Sequence, residues 1–311
     1  MCESDGGANS WCTCRRAISL EPVRAPTGRR PCYTPAMIFK GKTVVITGGS
    51  DGVGAATARQ FAAAGANLML IARGKKKLEA IAAELRDKTR VEILAMDVSD
   101  SEACVNVFKK AEFEFGRIDI LVNNAGFHER GPFESVSAED HSKMVDVNVR
   151  APIMLSRIVL PYLHEAGGGA IINVGSLAGR SPLPQQATYS ATKAALRTFS
   201  FAMFEELRGT NIKIAVVSPG PLDTTFIMSN LDVVADLTMS QPITTADEVA
   251  QAVLDLCSNN QREIAMPAIS NAMTAVNAWM PWVGRVLRPL LERKGARVKR
   301  KLRAQARVES D

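Results

Sequence analysis

Between residues 42 and 266, short apolar runs alternate with stretches of helical length, and this alternation restricts the fold more than any other feature of the chain. Residues 42–47, 67–72, 91–96, 118–123, 169–174 and 212–217 read as strands, with 263–266 as a seventh. Residues 55–64, 75–88, 101–115, 138–166, 188–208 and 246–258 read as the helices between and after them. Strands separated by helices of this length form βαβ units, and strands apolar along their whole length belong to a parallel sheet covered on both faces. The expected fold is α/β: a doubly wound parallel sheet of the Rossmann type. It forms a single domain over residues 37–265, followed by a helical extension, amphipathic and basic, at 266–311. Residues 223–245 interrupt the alternation with a segment bearing Met and Leu.

The net charge of +6 points at first to a basic protein, but the charge lies at the ends. Residues 1–36 hold five Arg against three acids, and residues 293–311 hold eight Lys and Arg against two acids. These segments contribute +2 and +6, which leaves −2 for residues 37–292. A nucleic-acid role for the domain loses its support, and no nucleic-acid partner is expected.

Residues 1–36 are rich in Gly, Pro, Arg and Ser and contain no apolar run of signal-peptide length. They read as a disordered leader, or as sequence ahead of a start at Met37. Four of the six cysteines, Cys2, Cys12, Cys14 and Cys32, lie there. The remaining two, Cys104 and Cys257, form no disulfide framework, so a reducing, cytoplasmic setting is expected. Cys12 and Cys14 lack a second pair at ligand spacing, and no metal is expected.

Thr47-Gly48-Gly49-Ser50-Asp51-Gly52-Val53-Gly54 lies between the first strand and the first helix. Glycines there allow a tight turn and let a pyrophosphate approach free N–H groups at the positive end of the helix dipole. The spacing differs from the commoner G-x-G-x-x-G fingerprint. About 20 residues further on, where an acid would hold the ribose 2′-hydroxyl of NAD, the chain reads Leu70-Ile71-Ala72-Arg73. A guanidinium suits the 2′-phosphate of NADP(H), and Ser50 offers a further hydrogen bond. The competing reading makes Arg73 the first residue of a solvated basic stretch with Lys75, Lys76 and Lys77.

Further segments complete a pattern. They are Asn123-Asn124-Ala125-Gly126, Asn148, Ser176, Tyr189-Ser190-Ala191-Thr192-Lys193 and Pro219-Gly220-Pro221-Leu222-Asp223-Thr224. With the glycine loop they resemble the short-chain dehydrogenase/reductase family over about residues 40–265. That resemblance implies hydride transfer between NADP(H) and a carbonyl or secondary alcohol. It makes Asn148, Ser176, Tyr189 and Lys193 the catalytic set, with Tyr189 as proton donor, Ser176 on the substrate oxygen and Asn148 kinking its helix to hold a relay water. It also assigns cofactor contacts to Thr47, Gly48, Ser50, Gly52, Val53, Gly54, Arg73, Asp97, Val98, Asn124, Ala125, Gly126, Tyr189, Lys193, Pro219, Gly220 and Thr224. Tyr189 and Lys193 are four residues apart on an expected helix, so they share a face. A nearby ammonium and the positive nicotinamide of the oxidised cofactor both favour the tyrosinate and are expected to lower a phenol pKa of about 10. His128 is a candidate for the substrate entrance.

The segment after Thr224 carries Phe226, Ile227, Met228, Leu231 and Met239, which suit a lipophilic ketone or alcohol or else pack against their own domain. Residues 264–291 hold Trp279, Met280 and Trp282 but are interrupted by prolines and arginines, and the basic run follows. Such a tail fits peripheral contact with a membrane surface as well as a docked helix with a solvated end. It is similar to the tails of lipid-handling members of the family, 3-ketosphinganine reductases among them. The family also implies a homodimer or homotetramer, with the faces of 101–115 and 138–166 as the contact. A nucleotide-sugar epimerase would have a Gly-x-x-Gly-x-x-Gly loop, and an enoyl reductase a wider Tyr–Lys spacing. A non-catalytic NADP(H)-binding sensor or scaffold is the alternative from another class; such proteins tend to lose the tyrosine.

Overall fold

A computed structural model describes residues 38–222 and 235–308. Seven strands form one sheet: β1 (Thr43–Thr47), β2 (Asn67–Ala72), β3 (Val91–Ala95), β4 (Ile120–Asn123), β5 (Gly169–Val174), β6 (Ile212–Pro219) and β7 (Glu263–Met266). Their order is β3-β2-β1-β4-β5-β6-β7, and every neighbouring pair is parallel.

Alternate residues of each strand feed two cores. Val44, Ile46, Leu68 and Leu70 pack on one face beneath α1 (Gly52–Ala63), α2 (Lys75–Leu85) and α8 (Ala246–Ser258). Val45, Met69, Ile71 and Leu121 pack on the other beneath α3 (Ser101–Phe115), α5 (Ala151–Glu165) and α6 (Ala187–Glu206). This is the expected doubly wound sheet. A fully buried Leu or Phe is worth roughly 1.5–3 kcal/mol, so these two layers supply most of the drive to fold.

The expected helix at 138–166 is not continuous. It runs as α4 (Ala138–Val145), one π-helical turn (Asp146–Arg150) and α5, so the kink expected at Asn148 takes the form of an extra residue in the helical repeat. Of the interrupting segment, residues 223–234 lie outside the described residues, and with them Thr224, Phe226, Ile227, Met228 and Leu231; residues 1–37, including Cys12 and Cys14, do as well. The described remainder forms a short helix, α7 (Asp236–Met239), with Met239 fully buried.

Two further helices follow, α9 (Ala268–Trp279) and α10 (Pro281–Val308). Asn277 donates to Ser181 at 2.8 Å, Arg180 donates to Asn271, and Lys299 pairs with Asp236 at 3.1 Å. Gly295 lies so close to Asp236 that an added Cβ would fall 1.7 Å from its carbonyl oxygen. Among the described residues no helix is long and apolar enough to cross a membrane.

Candidate active site

The strand order reverses between β1 and β4, so the loops leaving these two strands part and open a crevice at the C-terminal edge of the sheet. A cavity of about 1290 Å³ begins there, at Gly48, Ser50 and Gly52, and continues to Ser176, Tyr189 and Lys193.

The glycine loop is braced from behind. Thr47 Oγ1 accepts the backbone N–H groups of Asn124 and Ala125, both at 3.0 Å, and Asn124 Nδ2 donates to the carbonyls of Thr47 and Gly48. Gly48 has φ +68, and a Cβ at Gly54 would stand 2.0 Å from the Gly48 carbonyl oxygen, so no larger residue fits there. Asp51 caps α1 through the N–H of Gly52 and pairs with Lys77 at 2.7 Å.

Arg73 and Asp97 line the same end of the cavity, 3.9 Å apart. Burial pushes the Asp97 carboxyl up, but hydrogen bonds from the Ser99 backbone and hydroxyl, with the Arg73 charge, leave it below the usual carboxylate range. Lys77, read from the sequence only as part of a solvated stretch, also lines this end. Val53, Val98, Asn124, Ala125, Gly126, Pro219 and Gly220 complete the described wall of the cofactor set. Thr47, Gly54 and Asn148 do not line it; they stand one layer behind.

Asn148 occupies the π-helical turn, and its side-chain amide bonds to groups outside that helix. Its Oδ1 accepts the N–H of Phe127 at 2.8 Å, while Nδ2 donates to the Phe127 carbonyl at 2.8 Å and to Thr192 Oγ1 at 3.2 Å. It thereby ties the loop after β4 to α6. A Cβ on Gly126 would meet Asn148 Oδ1 at 3.6 Å and Lys193 Nζ at 3.8 Å, which places those two polar atoms around one small space.

Ser176 follows β5, and its hydroxyl caps a 3-10 turn (Leu177–Gly179) by accepting from Ala178. The same hydroxyl lies near enough to the phenol of Tyr189 to pull its pKa down. Lys193 is buried, and its Nζ donates to the Val174 carbonyl at 2.8 Å and lies 5.7 Å from the centroid of the Tyr189 ring. Burial pushes this ammonium down to about 8.

The expected lowering of the Tyr189 pKa is overturned in the free protein. Burial raises it, and that outweighs the opposing pull of the Ser176 hydroxyl and the Arg130 charge. Lys193, itself lowered to about 8, is already neutral where the phenol titrates, so its charge does not offset the shift.

His128 lies flat on Tyr189, with centroids 3.8 Å apart and planes 11° apart. Burial, with the charges of Arg130 and Lys193, pushes the imidazole down to about 3, so it is neutral at ordinary pH. Arg130, which the sequence reading did not single out, lines the substrate side of the cavity with Gln186. Its place in the loop leaving β4, at the switch point, is the signal that marks it.

With this geometry in place, the comparisons with known proteins are specific. The short chain dehydrogenase model matches residues 42–233, and the chain belongs to that family of oxidoreductases. A short chain dehydrogenase of Pseudocercospora fijiensis is 38% identical over 60% of this chain and 61% of its own length, so the match spans less than two thirds of that relative. A very-long-chain 3-oxoacyl-CoA reductase of Laccaria bicolor is 37% identical over 62% of this chain and 56% of its own. A short chain dehydrogenase from Burkholderia cenocepacia, crystallised with NADP, superposes with a TM-score of 0.69 at 30% identity, covering 75% of this chain and 99% of its own.

Proposed function

We propose that this chain is an NADP(H)-dependent oxidoreductase that interconverts a carbonyl and a secondary alcohol on a lipophilic substrate. The observation that carries the reading is the continuity of one cavity from Gly48 and Arg73 to Ser176, Tyr189 and Lys193. The close approach at Gly54 and the N-terminus of α1 suit a pyrophosphate, and Arg73 with Lys77 suits a 2′-phosphate. The NADP held by the B. cenocepacia relative supports the same choice. When bound, the cofactor supplies or takes the hydride. Every other part of the reaction belongs to side chains of the protein.

In the direction of reduction, Ser176 and Tyr189 both donate hydrogen bonds to the substrate oxygen, and Tyr189 passes its proton to the nascent alkoxide. Lys193 would hold the nicotinamide ribose and favour the phenolate left behind. Asn148 keeps the Phe127 loop and α6 in register behind the cavity wall. In the direction of oxidation the phenolate removes the alcohol proton. The substrate side is walled by Leu177, Leu183, Leu237, Met273 and Val276, apolar groups that suit a hydrocarbon chain.

The test is a panel of ketosteroids, 3-ketoacyl lipids, retinoids and sugars assayed with NADPH and with NADH. Turnover of a lipophilic carbonyl with preference for NADPH is expected. Turnover of sugars alone, or preference for NADH, contradicts the corresponding half of the proposal.

A further inference from the structure

More than half of the large hydrophobic side chains exposed among the described residues lie between Ile269 and Leu290, on or between the two C-terminal helices. Trp279 is 88% exposed, Trp282 59%, Val286 67% and Leu290 61%. On α10 the last three are spaced four apart, so they form one stripe along the helix. The same face continues through Arg293, Arg297 and Arg300, all exposed. One outward face therefore runs from tryptophan and aliphatic side chains to a row of guanidiniums.

The opposite faces of α10 are already occupied. Gly295 and Lys299 seat the helix on Asp236. One position along from the exposed stripe, Val283, Leu287 and Leu291 line the active-site cavity. Ile269, Val276 and Leu287 are both cavity-lining and well exposed, so they form its rim. The apolar stripe and the cavity mouth are adjacent.

From this geometry we infer that α9 and α10 dock the protein on an anionic lipid bilayer, with Trp279, Trp282, Val286 and Leu290 in the interfacial layer and the arginine row on the headgroups. The bilayer is favoured over an acidic protein because exposed tryptophans and aliphatic groups suit the interfacial layer while the neighbouring arginines suit anionic headgroups. Docked this way, the rim at Ile269, Val276 and Leu287 faces the lipid, and a lipophilic carbonyl enters from the membrane without crossing water. This second step rests on the function proposed above; the docking itself does not.

The experiment is co-sedimentation of the full chain with vesicles of phosphatidylcholine alone and of phosphatidylcholine with 30% phosphatidylserine, where ~30% anionic lipid gives a surface potential that attracts basic segments. Strong pelleting with the anionic vesicles and weak pelleting with the neutral ones are expected. Each basic residue near such a surface strengthens partitioning about fivefold, so the triple variant Arg293→Gln, Arg297→Gln, Arg300→Gln should lose about a hundredfold. Trp279→Ser with Trp282→Ser should weaken partitioning to both vesicles. Circular dichroism and NADPH binding confirm that each variant is folded.

Equal recovery of wild type and folded variants from anionic vesicles overturns the inference. So does a dimer that the tryptophan variants dissociate while no vesicle pellets the protein, since the face is then a contact between copies. Pelleting as described without turnover of any carbonyl leaves the docking standing and removes the enzymatic reading. Turnover without pelleting does the reverse.

Discussion

His128 covers one face of Tyr189, and its neutrality decides how it contributes. An imidazole held to about 3 exchanges no proton at the pH of an assay, so its contribution is steric: it keeps the phenol beneath the substrate oxygen. A stacked aromatic pair is worth about 0.5–1.5 kcal/mol. His128→Ala should therefore lower kcat about three- to tenfold, and His128→Phe should restore most of it, with no limb near neutrality in either pH profile. An inactive His128→Phe, together with loss of a limb near neutrality, would make His128 an acid or base instead. Lys193 supplies the second prediction at this scale. Its ammonium, lowered to about 8 by burial, is charged below that value and neutral above it. NADPH affinity, followed by fluorescence titration, should weaken as pH rises through about 8 in the free protein, and Lys193→Arg should remove that limb. The individual residues of the motif set were legible in the sequence because their order and spacing are fixed. The environment of Tyr189 was not, because burial and the placement of Arg130 arise from loops that only the folded chain brings together.

At the level of elements, β7 is held to α6 by a charged cluster rather than by apolar area. Arg197 donates two bonds to Glu263 at 2.9 Å, Ser218 donates one at 2.8 Å, and Arg180 stands 3.7 Å away. Burial pushes the Glu263 carboxyl up, but these partners outweigh it and leave it below its ordinary value. A lowered carboxylate adds stability that is fully present above the unfolded pKa of about 4.3 and is lost as pH falls through the folded value. Glu263→Ala should cost about 2 kcal/mol near neutral pH, between the values for surface and buried pairs, and little in strong acid. Thermal melts at both pH values measure it, and an equal loss at both would show that packing, not charge, is what the variant removes. The strands and helices of the sheet were legible because apolar runs and helical periodicity agree over whole elements. The π-helical turn at Asp146–Arg150 was legible only as a kink at Asn148, since one extra residue in a helix leaves no mark on an apolar pattern.

For the whole molecule, the strand order alone opens the crevice, and the site occupies the C-terminal edge of the sheet because the loops from β1, β4, β5 and β6 all emerge there. An amphipathic, basic extension was legible at 266–311, but not that α9 and α10 line the far side of the cavity, since an amphipathic pattern does not say which surface it packs against. Tyr189, beside Ser176 and backed by Lys193, is proposed to supply the proton in a hydride transfer. The most direct measurement is steady-state NADPH oxidation by wild type and Tyr189→Phe on one lipophilic ketone, with NADPH affinity measured in parallel. A fall in kcat of about 10²–10⁴-fold is expected, the range for losing a general acid, with affinity for NADPH nearly unchanged. A Tyr189→Phe enzyme that turns over at the wild-type rate would contradict it.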